Sequence, residues 1–271
     1  MIALQKINNK TENSFHICVG LDTDIEKLPD HLKNKNDSEF IFNKEIIEAT
    51  KDIAAAYKIN FAFYEKNGID GLKVLEKTLS LIPSDILTIA DAKRGDIGNT
   101  SLMYAKSIFE HYQFDSITIN PYMGTDSVEP FLNNPDKLVF ILALTSNKGS
   151  NDFQKQKLAD GSFLFQRVIS KIHSWNKSSN CGIVFGATND KELDENLDLI
   201  GNLPLLLPGI GAQGGNLNNI VRALSSKRKN DYLINVSRGI LYKSNEEDFS
   251  KRTREELLNY NSEISNILDN T

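Results

Sequence analysis

The sequence predicts an α/β protein in which eight parallel strands close into a (β/α)8 barrel. Eight short apolar runs rich in β-branched residues recur along the chain, and each is followed by a stretch with helical periodicity. Such alternation is typical of a parallel sheet covered by helices. Eight such units within 271 residues fit the usual size of a closed barrel. We therefore expect residues 1–271 to form one (β/α)8-barrel domain.

The predicted strands are nearly continuous in apolar residues, as strands covered on both faces should be. They are His16–Leu21, Ala54–Phe61, Leu87–Asp91, Ser116–Asn120, Leu138–Thr145, Gly182–Gly186, Leu203–Leu207 and Tyr232–Val236. An open, doubly wound sheet is the main alternative to the barrel. We disfavour it because the first strand ends in Gly20-Leu21-Asp22 and lacks the Gly-rich fingerprint of dinucleotide-binding sheets.

The predicted helices carry apolar residues at three- and four-residue spacing. Examples are Gly71–Ser80, Ser101–His111 and Phe163–Trp175, with Asn189 and Asn216 as candidate N-caps of two later helices. The polar segments Asp22–Glu39 and Ser146–Gly161 are longer than typical barrel connections. Both follow strands, so we expect both at the carboxyl-terminal face of the barrel, where active sites of this fold occur.

The composition excludes several classes of protein. A net charge of -5 argues against a broad nucleic-acid-binding surface, so any anion site must be local. We find no apolar run long enough for a membrane span and no signal-peptide pattern at the N-terminus. Cys18 and Cys181 each lie in an apolar run, which indicates small buried residues rather than a disulfide. We therefore expect a cytoplasmic protein.

Charged residues cluster where the second and third strands end. Strand side chains alternate, so Asp91 and Lys93 point inward with Ile89, which would fill a layer below them. Lys58 on the neighbouring strand would lie close to Asp91, and Asp96 follows in the next loop. The result is a row of Lys58, Asp91, Lys93 and Asp96 at the barrel mouth. Such a row favours catalysis, although a purely structural ion-pair network is the alternative.

Glycines and one arginine follow the last two strands. The loop 208–215 reads Pro-Gly-Ile-Gly-Ala-Gln-Gly-Gly, and Ser237-Arg238-Gly239 follows the eighth strand. Barrels often bind phosphate with these two loops, because glycines expose backbone N–H groups and an arginine can bind the anion bidentately. The alternative is that these glycines form only tight turns. The combination of both loops favours a phosphate site.

One ten-residue motif resembles a known family. Residues 91–100, Asp-Ala-Lys-Arg-Gly-Asp-Ile-Gly-Asn-Thr, are similar to the Asp-x-Lys-x-x-Asp-Ile/Val-x-x-Thr signature of the orotidine 5'-phosphate decarboxylases. Within it, the hexapeptide Ala-Lys-Arg-Gly-Asp-Ile resembles the type 2 branch of this family, in which the barrel loops are extended. The likeness extends along most of the chain, through Val19–Asp22, Lys58-x-Asn60, Asn120–Tyr122, Thr145–Asn147 and the two loops above.

The resemblance implies a role for each matched residue. The implied catalytic residues are Lys58, Asp91, Lys93 and Asp96. The implied substrate-binding residues are Asp22, Asn60, Ile97, Thr100, Thr145, Ser146, Pro208, Gly209, Gln213, Gly214, Ser237 and Arg238. Of these, Thr145 and Ser146 would meet the pyrimidine, and Gln213 and Arg238 would hold the phosphate. The family also implies a homodimer in which Asp96 and Thr100 enter the neighbouring subunit's site.

The implied reaction is the decarboxylation of orotidine 5'-monophosphate to UMP and CO2, the last step of de novo pyrimidine nucleotide synthesis. No cofactor takes up the electrons, so a fixed ammonium such as Lys93 would stabilise the carbanion at C6 and then protonate it. We expect no metal, because His16, His31, His111 and His173 are scattered and show no ligand spacing.

Three rival functions remain open. A related barrel family shares Asp-x-Lys-x-x-Asp and uses Mg²⁺ on a sugar phosphate; Lys58 would repel the metal, although Glu65 is a conceivable ligand. A Schiff-base aldolase would need Lys93 uncharged, whereas the flanking carboxylates favour the ammonium. A non-catalytic sensor of a phosphorylated ligand would bind a nucleotide without turning it over.

Overall fold

Eight parallel strands form a closed barrel in this protein, so the predicted fold is confirmed and the open sheet is wrong. The computed structural model describes residues 1–211 and 214–271. Within them each strand pairs with the next, and the last strand pairs with the first. The strands are β1 Ile17–Gly20, β2 Ala56–Asn60, β3 Leu87–Arg94, β4 Ser116–Ile119, β5 Leu138–Leu144, β6 Cys181–Phe185, β7 Leu205–Pro208 and β8 Tyr232–Val236.

All eight predicted strands are present, and the largest difference in their bounds is at β3. This strand continues to Arg94, three residues beyond the predicted end at Asp91. Its pairing with β4 shifts register between Ala90 and Arg94, which marks a bulge. The bulge interrupts the regular alternation of side chains before the strand ends. Periodicity alone therefore did not indicate that β3 continues to Arg94.

Helices surround the barrel in the order that the sequence predicts. They are α1 Ala3–Thr11, α2 Asp30–Lys33, α3 Ser38–Thr50, α4 Phe61–Glu65, α5 Gly68–Leu79, α6 Gly98–Lys106, α7 Thr125–Leu132, α8 Leu164–Trp175, α9 Asp190–Glu195, α10 Leu197–Ile200, α11 Leu217–Ser226, α12 Arg238–Leu241 and α13 Phe249–Asp269. Short 3-10 turns occupy Ile25–Lys27 and Lys148–Asn151, and a π-helical turn, Ser107–His111, follows α6. None of the described helices is long and apolar enough to cross a membrane.

The two predicted N-caps have different outcomes. The side chain of Asn216 accepts a hydrogen bond from the backbone N–H of Asn219, 3.1 Å away, and so caps α11 as predicted. Asn189 lies at the N-cap position of α9, but its side chain does not cap the helix. Its amide instead donates to the backbone oxygens of Thr145 and Gly186, at 3.1 and 3.4 Å. The amide therefore links the chain segments that follow β5 and β6 instead of capping α9.

Apolar side chains fill the lower part of the barrel interior. Cys18, Ile89, Phe140 and Leu206 belong to one buried cluster, which Ile7 of α1 closes at the amino-terminal end of the strands. Ile89 therefore lies in the predicted layer below the charged residues. Cys18 and Cys181 are both buried and free, as the sequence predicts. Polar residues are left to the upper layer, at the carboxyl ends of the strands.

Candidate active site

A cavity of about 380 Å³ opens at the carboxyl ends of the strands. This volume suits a small-molecule ligand. Its lining residues are Asp22, Lys58, Asn60, Asp91, Lys93, Thr118, Leu142, Thr145, Ser146, Asn147, Val184, Leu206, Pro208, Gly209, Ile210, Asn235, Ser237, Arg238 and Gly239. The floor is charged on the side of β2 and β3, and it is apolar where Leu142, Val184 and Leu206 project from β5, β6 and β7.

Lys58 lies at the floor of this cavity, 3% exposed. The strand register pairs Asn60 with Asp91, which brings the Lys58 ammonium to 2.9 Å from Asp91 Oδ2. The same ammonium lies 3.2 Å from Asp22 Oδ1. Burial alone would lower the pKa of Lys58, but the two carboxylates outweigh it and hold that pKa above its usual value. Lys58 is therefore a fixed positive charge.

Asp91 is the centre of the cluster. Its Oδ2 accepts from Lys58, and its Oδ1 accepts from Lys93 at 2.6 Å and from the hydroxyl of Thr118 at 2.9 Å. Burial would raise the pKa of this carboxyl, but the ammonium groups of Lys58 and Lys93 prevail and hold it well below its usual range. Asp91 is therefore ionised at neutral pH.

Lys93 presents the ammonium that faces the cavity. Its backbone has φ +45°, a left-handed conformation that a residue with a Cβ adopts only at a cost. The side chain is bonded to Asp91 at one oxygen, yet 51% of it is exposed. Carboxylates hold both lysines in place. Lys58 is buried, whereas the Lys93 ammonium remains accessible to a ligand.

Asp96 does not join this row within a single chain, which corrects the sequence-based arrangement. Among the described residues it lies outside the cavity lining, and its carboxylate accepts from the backbone N–H of Ile97 at 2.8 Å. After the bulge the chain turns away from the mouth, and Gly98 continues that turn with φ +50°. Ile97 and Thr100 are exposed outside the cavity as well.

The opposite end of the cavity carries the predicted phosphate-binding residues. Pro208, Gly209, Ser237 and Arg238 line it, and φ is +114° at Gly209. Gly214 is described but lies outside the lining, and its N–H donates to the oxygen of Gly211 at 3.0 Å. Gln213 lies outside the described residues.

Two polar atoms at this end are buried without a protein partner. Within the described part of the chain, Ser237 Oγ and Asn235 Oδ1 make no hydrogen bond. A Cβ at Gly20 would lie 2.9 Å from the Cβ of Ser237, so only glycine lets β1 approach β8 this closely. Buried polar atoms without a partner are costly, and a bound ligand can satisfy them.

The rim of the cavity is built by the long segment after β5. Thr145 donates its backbone N–H to Gln154 Oε1 at 2.7 Å and its hydroxyl to Asn147 Oδ1 at 2.6 Å. Gln154 lies within the long polar segment Ser146–Gly161. On the other side of the mouth, Asn60 lines the cavity and caps α4 by accepting from the N–H of Ala62 at 3.2 Å.

Sequence reasoning missed three polar lining residues, Asn147 in the segment after β5 and, on strands, Thr118 and Asn235. Thr118 and Asn235 are buried, at 1% and 8% exposure, on strands whose other residues are mostly apolar. A polar side chain that interrupts an apolar strand at the inward parity was the available signal. Asn235 lies two residues before Ser237 and so shares its inward parity. The sequence analysis did predict Ser237 as a site residue.

Among the described residues, no three His, Cys, Asp or Glu side chains are grouped so that they could hold a metal ion. Glu65, the conceivable ligand, forms an ion pair with Arg94 instead. It also lies outside the cavity lining. Glu65 is therefore not placed to bind a metal ion in this cavity.

Three comparisons place the chain among known proteins. The sequence profile described as "Orotidine 5'-phosphate decarboxylase / HUMPS family" matches residues 16–252. An orotidine 5'-phosphate decarboxylase of Bacteroides fragilis is 47% identical over 250 residues, covering 91% of this chain and 90% of that protein. The OMP decarboxylase structure of Leishmania donovani has a TM-score of 0.85 and 36% identity, covering 99% of both chains. The UMP synthase structure of that organism has a TM-score of 0.87 and 37% identity; this chain spans 57% of that longer protein.

The fold and the cavity define a (β/α)8-barrel protein with a small-molecule site at the carboxyl ends of its strands. The matched sequence is more specific, because it covers most of the chain. The chain belongs to the orotidine 5'-phosphate decarboxylase / HUMPS family.

Proposed function

We propose that this chain decarboxylates orotidine 5'-monophosphate to UMP and CO2 without a cofactor, the last step of de novo pyrimidine nucleotide synthesis. The observation that carries the proposal is the Lys58–Asp91–Lys93 row, in which a half-exposed ammonium is held at the floor of a cavity. The relatives named orotidine 5'-phosphate decarboxylase support it. A carboxy-lyase of this kind has no electron sink other than its own charged groups.

Lys93 is the proposed acid. When the bond between C6 and the carboxylate carbon breaks, CO2 leaves and the electron pair stays on C6. The Lys93 ammonium stabilises this charge and donates a proton to form the C6–H bond of UMP. The resulting amine is then reprotonated by water. Its hydrogen bond to Asp91, at 2.6 Å, keeps the ammonium in position before the substrate arrives.

Asp91 and Lys58 organise the acid in this proposal. Asp91 holds the Lys93 ammonium on one oxygen and the Lys58 ammonium on the other. Lys58 and Asp22 extend the row toward the ribose, with Asn60 beside them. Because these groups are already bonded to one another, little reorganisation is needed during the reaction.

Arg238 and the 208–215 loop bind the phosphate in this proposal. Arg238 is exposed at the cavity end opposite the charged row, and Ser237 offers a buried hydroxyl that has no partner in the described part of the chain. Thr145 and Ser146 at the rim would meet the pyrimidine, and Gln213 and Gly214 complete the phosphate contacts. Binding energy from the remote phosphate can then be used to organise the reacting centre.

We also propose a cytoplasmic homodimer in which residues 1–271 of each copy form one domain. Asp96, Ile97 and Thr100 would enter the neighbouring copy's site, where Asp96 extends the charged row. Ile97 and Tyr122 support this pairing, because they are 56% and 79% exposed near the cavity mouth. The two free, buried cysteines fit a reducing compartment.

The test is the ultraviolet absorbance of orotidine 5'-monophosphate mixed with purified protein in the presence of EDTA. Conversion to UMP would support the substrate, the reaction and its independence of metal together. No conversion by folded protein would overturn the assignment. Activity on a sugar phosphate with Mg²⁺ would favour the rival reaction, and tight nucleotide binding without turnover would favour the sensor.

A further inference from the structure

Thr118 is buried on β4, beside β3, and contacts two residues of the charged row. Its hydroxyl donates to Asp91 Oδ1 at 2.9 Å, and the same oxygen accepts from the backbone N–H of Lys93 at 3.1 Å. A single hydroxyl thus contacts the side chain of one proposed catalytic residue and the backbone of the other.

The bulge in β3 explains why the backbone N–H of Lys93 needs a side chain as its hydrogen-bond partner. Ala90 pairs with Ile117 and Arg94 pairs with Ile119, so residues 91–93 lie opposite Thr118 alone. In a regular parallel ladder the N–H of a residue such as Lys93 would bond to a backbone carbonyl of β4. The bulge removes that partner, and the Thr118 hydroxyl replaces it.

The backbone at Lys93 depends on this replacement. Its φ of +45° is costly for a residue with a Cβ and persists only where the surroundings over-determine it. The two fixed contacts to Thr118 oppose relaxation of the bulge. Relaxation of the bulge would change the direction of the Lys93 side chain and so the position of its ammonium relative to Asp91.

We infer that Thr118 is a positioning residue of the decarboxylation, holding Asp91 and Lys93 in register through its hydroxyl. The inference rests on the proposed function, because the row it positions is the proposed acid. Thr118 itself need not touch the reacting atoms. Its contribution is therefore expected in kcat rather than in substrate affinity.

The experiment compares Thr118→Val, which keeps the β-branched shape, with Thr118→Ser, which keeps the hydroxyl. Ser116→Ala is the matched control, because it removes another buried hydroxyl of β4, bonded to Thr88 O at 3.1 Å. We expect Thr118→Val to lower kcat about 10- to 100-fold with KM nearly unchanged, the size of a lost hydrogen bond to a charged group. Thr118→Ser and Ser116→Ala should stay within about 3-fold of the parent chain.

Two results would overturn the inference. One is a kcat of Thr118→Val within about 3-fold of the parent. The other is an equal loss in Thr118→Ser and Thr118→Val with a matching fall in Tm, which would assign the effect to packing. If the parent chain itself fails to decarboxylate the nucleotide, the proposed function falls. The inference is then judged by a crystal structure of Thr118→Val: a retained positive φ and a retained Lys93–Asp91 bond would refute it.

Discussion

Each end of the barrel has a lysine–aspartate pair, and the two pairs differ in how accessible the lysine is. At the carboxyl ends of the strands, Lys93 bonds to Asp91 with 51% of its side chain exposed. At the amino ends, Lys6 of α1 bonds to Asp115 at 2.6 Å, and its side chain is only 9% exposed.

The lower pair is saturated by protein donors. Asp115 also accepts from the N–H and the hydroxyl of Thr88, at 2.9 and 3.0 Å. A groove lies beside this pair too, so a neighbouring cavity does not by itself distinguish the ends. The pair joins α1 to the bottom of β3 and β4, which is a structural role.

A buried lysine–aspartate pair is therefore weak support for catalysis on its own. The upper cluster differs because its carboxylate holds two ammonium groups and its backbone is strained at Lys93. At the far side of the same cavity, two buried polar atoms also have no hydrogen-bond partner among the described residues. Strain and unsatisfied polar groups are the features that mark a site built for a ligand.

The largest effect is expected for Lys93→Ala. This change removes the proposed acid, so kcat for orotidine 5'-monophosphate should fall by at least about 10³-fold. The free energy of unfolding should change by less than about 1 kcal/mol, because the lysine is half exposed. Ultraviolet turnover and urea unfolding of the same preparation measure both. Near-normal turnover would show that the upper cluster is structural, like the lower one.

Arg238→Ala should lower kcat/KM by about 10²-fold, since one bidentate contact to the phosphate is lost. Part of this loss should fall on kcat, because remote binding energy organises the reacting centre. Arg222→Ala is the control, since that arginine lies on α11 with its Nε bonded to Asn218. A rise in KM with an unchanged kcat would mean that the phosphate contributes binding alone.

Lys6→Met tests the lower pair. Removing one partner of a largely buried ion pair should cost about 3 kcal/mol of unfolding free energy, measured in urea. The kcat should remain within about 2-fold of the parent, because the pair lies at the opposite end of the barrel. A large loss of kcat in protein that is still folded would contradict the structural assignment.

A smaller, pH-dependent effect is expected at His16, also at the lower end. Burial lowers its pKa to about 4, although a hydrogen bond to the backbone oxygen of Tyr232 opposes the shift. The unfolded chain binds the proton more readily between that value and the ordinary 6.5, so stability present above pH 6.5 is lost as pH falls toward 4.

His16→Phe keeps a ring stacked on Tyr232 and removes the titration. Between pH 7 and pH 4 the parent should lose about 2 kcal/mol more unfolding free energy than the variant. Denaturant titrations at both pH values measure the difference. Parallel pH profiles would place the ring in a more polar environment than the structure shows.

Local patterns predicted much of this molecule. The apolar runs gave all eight strands, and inward parity placed Asp91 and Lys93 on the same side. Adjacency of consecutive strands was enough to bring Lys58 to Asp91. Of the sixteen predicted site residues, eleven line the cavity, because the carboxyl end of every barrel strand meets the same mouth.

The sequence by itself determined the strand order, the barrel and the identity of the charged row. Only the tertiary structure decided where that row ends. Asp96 lies outside the barrel mouth after a bulge in β3, and hydrophobic periodicity does not predict this bulge. The same bulge gave Thr118 its two partners, and the approach of β1 to β8 buried Asn235 and Ser237. The reason is physical: the alternation of side chains is a property of one strand, whereas register and bulges are set by how two strands pair.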